Sequence, residues 1–227
     1  MIGGLLVAKA KQQNYLRGAA IMTAGVIIMK ILGALYKIPL GNMLGDDGYG
    51  LFLQAYYVYS LFLTLATAGF PVALSRMISA AQTRGLQMQA RRTYRVAWWT
   101  FFVLGAVCST VMFVFPDWLA STLINSPDAA FSIQALAPAV LLCCVTATYR
   151  GLTQGYGNMT PTTISQILEV LAKVAAGLAL AAYLIKAGYD KPVAVAGAIF
   201  GVTVGSLAAL LYLSLIHISE PTRRSYI

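Results

Sequence analysis

Charge is what this sequence has least of. Only 10% of its 227 residues are Asp, Glu, Lys or Arg, and just seven of those are acidic, where a soluble domain carries about a quarter charged residues. With 59% hydrophobic residues and a mean hydropathy of +0.74, the composition excludes an ordinary water-soluble domain. Histidine is nearly missing too. The single one, His217, lies close to the C-terminus, so the body of the chain has no imidazole for acid–base, triad or zinc chemistry. Cys108, Cys143 and Cys144 fall inside apolar runs without CxxC or metal spacing, which argues against a disulfide framework and a metal site. The glycines of RGLTQGYGNMTPT (150–162) lack the lysine and spacing of a phosphate-cradling loop. No cofactor is implied, and an enzyme is not expected.

What is present are long apolar runs. Six stretches, 19–40, 49–68, 93–115, 129–149, 162–185 and 193–213, are each about the length of a membrane-crossing helix. They are continuous rather than alternating, which favours helices over a barrel. The expected fold class is all-α: a polytopic membrane protein with a six-helix bundle over residues 1–213. The first run is too long for the roughly 7–15-residue core of a cleavable signal and reads as a retained anchor.

The net charge of +9 does not point to nucleic acid, because its location explains it. Lys9, Lys11, Arg17, Arg76, Arg84, Arg91, Arg92, Arg95 and Arg150 occupy alternate connections that hold no acidic residue. The intervening ones hold Asp46, Asp47, Asp117, Asp128 and Asp190 against Lys186 and Lys191. Basic residues concentrate on cytoplasmic loops, so the N-terminus is expected in the cytoplasm of a multi-pass plasma-membrane protein. Arg91, Arg92 and Arg95 beside Trp98 and Trp99 read as interfacial anchors, with anionic-lipid contact the weaker alternative.

Several positions break the helical pattern. Gly41, Gly45, Gly48 and Gly50 permit a tight turn after the first run. Gly69 and Pro71 interrupt the second, and beyond them Leu74, Met77, Ile78 and Ala81 recur at helical spacing. That segment is either an amphipathic helix along the membrane surface or an extension of the second span. Pro138 within the fourth run is a gating hinge or a static kink, and Pro161 suits a helix N-terminus.

Four ionisable residues lie inside the runs: Lys30, Lys37, Glu169 and Lys173. Each costs about 3 kcal/mol near the bilayer centre, so each needs a partner, a wet cavity or an exit. Lys37 is close enough to its span's end to snorkel; Lys30 is not. Glu169 and Lys173, four apart, can pair on one face, and Thr162 and Gln166 extend a polar stripe over about three turns. The stripe is either a self-satisfied pair buried between helices or the wall of a hydrated pathway; its length favours the pathway.

After residue 213 the composition changes. LSLIHISEPTR (213–223) resembles the conceptual translation of a transposase adapter end used in sequencing libraries, so 214–227 is expected to be a non-native tail, His217 included.

GNMLGDDGYGLFLQAYYVYSLFLTLATAGFPVALSRMISA (41–80) and YRGLTQGYGNMTPTTISQILEVLAKV (149–174) resemble the polysaccharide-biosynthesis and stage V sporulation protein B branch of the multidrug, oligosaccharidyl-lipid and polysaccharide exporter superfamily. The resemblance covers residues 14 to about 212. It implies flippases of lipid-linked sugars related to the lipid II transporter, with two six-helix lobes around a cavity of alternating access, of which this chain is the N-terminal lobe. Its C-terminal lobe would be the missing partner, and the bilayer and a lipid-linked diphosphate sugar the others. Lys30 and Lys37 fall where the branch commonly has basic residues, Gln154, Pro161, Gln166 and Glu169 match its second motif, and Lys173 stands where a basic residue is usual. A cation-coupled multidrug exporter would want an acidic cavity, whereas the candidates here are three lysines and one glutamate; no coupling cation is specified. A membrane-embedded enzyme acting on lipid carriers would need acidic clusters or histidines that the cytoplasmic segments lack.

Overall fold

The computed structural model describes residues 2–219, with side chains described for residue 18 and residues 20–216. The side chains of Lys9, Lys11, Arg17 and His217 and all of 220–227 lie outside that description. Every regular element among the described residues is helical, as apolar runs in hydrocarbon require: each backbone N–H and C=O must find its partner within the segment. In chain order they are α1 (Ile2–Thr67), α2 (Phe70–Thr83), α3 (Gln87–Val114), α4 (Pro116–Ile124), a 3-10 turn (Pro127–Ala129), α5 (Ala130–Gly155), α6 (Thr160–Lys186) and α7 (Lys191–Ser219). Among them, Ala20–Thr83, Gln87–Val114, Pro127–Gly155, Thr160–Lys186 and Lys191–Ile216 contain stretches long and apolar enough to cross a membrane.

The first of these stretches is folded back on itself. At Gly45 φ is 70° and ψ is 177°, a region open essentially to glycine alone. Tyr36 and Phe52 would stand about 24 Å apart on a straight helix, yet their ring centroids are 6.4 Å apart. α1 is therefore two arms, 2–44 and 46–67, lying against each other. The turn expected over 41–50 is concentrated in this one glycine, with Asp46 and Asp47 exposed beside it.

Side-chain contacts fix the direction of the other helices. The first arm runs parallel to α6, Gly18 meeting Met159, Gly25 meeting Thr163 and Tyr36 meeting Gly177. The second arm runs parallel to α7, from Asp47 near Lys191 at 3.8 Å to Tyr59, which shares Cys143 with Ser206. α3 and α5 are antiparallel, since Tyr94 meets Tyr149 and Gln134 reaches the carbonyl of Phe113. α5 is the axis of the bundle: it is the most buried of the long apolar helices, and Ile133, Leu136, Val140 and Cys144 are sealed along one side of it.

The four breaking residues play different parts. Gly69, at φ 70°, separates α2 from the second arm. Pro71 and Pro161 open α2 and α6, where a missing N–H costs nothing. Pro138 lies inside α5, which continues as one helix on both sides of it. α2 buries Leu74, Ile78 and Ala81 but leaves Met77 exposed. One turn of α2 follows one turn of α5, Leu74 lying against Gly151 and Ile78 against Gly155. The segment thus continues alongside the bundle, which favours the extension of the second span over a helix lying across the surface. The connection expected between 115 and 129 contains a short helix of its own, α4, opened by Pro116.

Membrane helices gain no hydrophobic drive from meeting one another, so tight pairs depend on small residues that let backbones approach. Gly197, Gly201 and Gly205 recur every fourth position on α7. A Cβ at Gly201 would stand 2.6 Å from the backbone of Gly177, and one at Gly205 would stand 2.5 Å from the carbonyl oxygen of Glu169. This ridge seats the turn of α6 that carries Glu169 and Lys173.

Candidate functional site: a charged network between four helices

The intramembrane carboxylate does not pair with the lysine one turn away. Glu169 Oε2 accepts a hydrogen bond from Arg150 Nη2 at 2.7 Å, so in place of the Glu169–Lys173 pair that the spacing allows, the ion pair joins α6 to α5. Two features place the guanidinium. α5 extends to Gly155, which keeps Arg150 within the helix rather than in a connection, and its Nε donates to Ser165 Oγ at 3.1 Å. Ser165 in turn donates to the carbonyl of Thr162 at 2.7 Å. The guanidinium is thus held at two points, which suits its planar fork to a carboxylate better than an ammonium would.

The other carboxylate oxygen faces softer groups. Cys143 Sγ lies 4.0 Å and Ser206 Oγ 3.5 Å from Oε1; the serine hydroxyl also reaches the carbonyl of Val202 at 3.0 Å. Cys143 lies 3.2 Å from Ser206 and 3.3 Å from the hydroxyl of Tyr59. One glutamate therefore draws together α5, α6, α7 and the second arm of α1. Charges in hydrocarbon are affordable only in such company.

Among the described residues no carboxylate makes an ion pair with Lys173, although Glu169, one turn away, still acts on it electrostatically. The lysine Nζ stands 5.1 Å from the centroid of Tyr56 and 6.0 Å from that of Tyr36, within the range where a cation is attracted by the face of an aromatic ring. Tyr36 is buried and fixed by a hydrogen bond from its hydroxyl to the carbonyl of Ala198 at 3.4 Å. The rings come from opposite arms of α1, so the fold at Gly45 builds this cradle. Counting Arg150, Glu169 and Lys173 together, the network keeps one net positive charge, and Lys173 carries it.

The remaining sequence candidates are distributed unequally. Lys30 and Lys37 are exposed on the first arm; Lys37 follows Tyr36 directly and lies within electrostatic reach of Lys173. Gln166 and Gln154 are half-buried. Thr162 is fully buried, its hydroxyl 3.1 Å from that of Thr153, so the polar stripe on α6 is sealed at its first member and opens only further along. Among the described residues no three His, Cys, Asp or Glu side chains converge as a metal site. Arg150, Tyr36, Tyr56, Tyr59, Cys143 and Ser206 join the network without being charges inside the apolar runs read from the sequence. A fourth run that ends at residue 149 puts Arg150 in the connection; the helical spacing from Cys143 to Arg150 to Gln154 is the signal that keeps it in the helix.

Long apolar helices packed through glycine ridges around a polar network define a polytopic, all-helical membrane protein. The polysaccharide biosynthesis protein family model matches residues 15–226, and the chain belongs to that family. It is 28% identical over 202 residues to stage V sporulation protein B of Bacillus subtilis (strain 168), covering 89% of this chain and 39% of that protein. It is also 28% identical over 207 residues to the lipid II flippase MurJ of the same organism, covering 87% of this chain and 38% of the flippase. A further membrane protein of that organism, YabM, is 30% identical over 197 residues, covering 87% of this chain and 36% of YabM. The chain thus spans well under half the length of these relatives. No solved structure matches it significantly.

Proposed function

We propose that this chain is one lobe of a bacterial plasma-membrane flippase that moves a lipid-linked, diphosphate-bearing saccharide or peptidoglycan precursor by alternating access, with a second lobe completing the cavity. The observation that carries the proposal is the state of Lys173: Glu169, one turn away, is engaged by Arg150, and the ammonium stands beside two aromatic rings with no ion-pair partner among the described residues. A diphosphate headgroup is the complement of such a cation. The family membership and the similarity to a lipid II flippase support the same reading, as does the clustering of basic residues on alternate connections for a cytoplasmic N-terminus. An organic-cation exporter is disfavoured because Glu169, the intramembrane carboxylate, already holds a guanidinium.

The test is translocation of a fluorescent polyprenyl-diphosphate saccharide in vesicles carrying this lobe together with the proposed second lobe. Lys173→Gln lowers the rate at least tenfold, Lys173→Arg keeps most of it, and Tyr56→Leu loses a few-fold where Tyr56→Phe does not, as expected for a cation–ring contact. Unchanged flipping in Lys173→Gln overturns the proposal.

A further inference from the structure

We infer that the crevice between α2 and α3 seats one anionic phospholipid, away from the charged network. The crevice has a volume of about 1250 Å³, beyond the roughly 300–1,000 Å³ of ordinary small-molecule pockets. Its charged side chains lie at one end only. Arg91, Arg92 and Arg95 line that end and are exposed, no acidic side chain lines any part of it, and none occurs in sequence between Asp47 and Asp117. The wall beyond the arginines, from Met77 and Val96 to Phe70 and Phe101, is apolar except for Thr100, whose hydroxyl donates to the carbonyl of Val96 at 3.0 Å. Arg91 and Phe101 are ten positions apart on α3, about 15 Å along the helix. Such a surface offers three cations and then a length of apolar wall, the order in which a phospholipid presents its phosphodiester and its acyl chains.

The depth is right as well. Trp98 stacks on Phe102 with centroids 5.3 Å apart and meets Trp99 edge-on at 5.1 Å, an aromatic group of the kind found at headgroup level. The arginines lie one to two turns to the N-terminal side of it and the apolar wall extends to the other. Protein is a poor alternative occupant. The chain's described carboxylates are single residues or one pair at 46–47, 117, 128 and 190, apart from Glu169, which Arg150 occupies. Neither this chain nor a second copy of it has an acidic stretch to lay against three arginines.

The test uses the full 227-residue chain carrying Trp118→Phe, so that Trp98 and Trp99 report alone, reconstituted in phosphatidylcholine bilayers. Brominated phosphatidylglycerol or brominated phosphatidylcholine is added as quencher at equal mole fraction. At low mole fraction the brominated phosphatidylglycerol quenches roughly threefold more and its excess saturates, as a site does and an annulus of lipid does not. Arg91→Gln/Arg92→Gln/Arg95→Gln abolishes the excess, the triple lysine variant keeps it, and Arg76→Gln/Arg84→Gln leaves it intact. Equal quenching by the two headgroups, an excess that rises linearly without saturating, an excess that survives the triple glutamine variant, or concentration-dependent dimerisation that abolishes quenching each overturns the inference.

Discussion

Arg150 and Glu169, nineteen positions apart, meet at 2.7 Å between α5 and α6, and that contact decides what the rest of the polar network can do. By occupying the carboxylate it releases Lys173, which then stands against Tyr56 and Tyr36. A pair one turn apart on a single helix would have neutralised itself and tied no two helices together. The pair observed joins two helices and leaves a cation over.

Removing one partner strands the other in low dielectric. Side-chain exposures of 18% and 22% place the cost below the 3–5 kcal/mol of a fully buried pair, at roughly 1–3 kcal/mol. Arg150→Met and Glu169→Gln each lower the thermal midpoint of the detergent-solubilised protein. The double variant is less destabilised than the sum of the two, and an additive double variant would contradict the pairing.

Glycine ridges are the second point of leverage. Gly205→Val forces α7 away from the carbonyl of Glu169, which a Cβ would approach to 2.5 Å, and costs about 1–3 kcal/mol by overpacking. Gly33→Ala is the control, since nothing lies within 4 Å of a Cβ there; it is neutral or stabilises by about 0.5–1 kcal/mol. Melting curves of the two variants check both signs, and equal effects would remove the packing argument.

At Gly45 the backbone itself is the constraint. Gly45→Ala places a side chain at φ 70°, ψ 177°, a strain of about 1–3 kcal/mol, and opens the fold between the arms of α1. In a cysteine-free background, Tyr36→Cys and Phe52→Cys are joined by a short thiol cross-linker. Adding Gly45→Ala reduces the yield several-fold, whereas Gly41→Ala, where a Cβ also meets nothing, leaves it unchanged.

The helical class of this protein and the places where its helices end were legible because hydrocarbon allows the backbone few alternatives. Runs of apolar residues had to close their own hydrogen bonds, and Gly69, Pro71 and Pro161 marked ends for local reasons of dihedral angle and missing donor. The whole stretch 41–50 was visible as a turn, though not that Gly45 alone would carry it. Glu169 and Lys173 were visible as charges in need of company. Their partners were not.

That difference has a physical origin. Spacing along one helix shows which groups can touch within it, and Glu169 with Lys173 is the pair it offers. Arg150 competes from another helix, with a fork already oriented by Ser165 and no other described carboxylate at hand, and it wins by geometry that exists only once Gly197, Gly201 and Gly205 have brought α7 against α6 and the arms of α1 have closed. The sequence by itself determined an all-helical membrane chain with too many intramembrane cations for its single intramembrane carboxylate. Only the packing decided which cation would be left free, because choosing among partners on different helices is a property of the assembled interior.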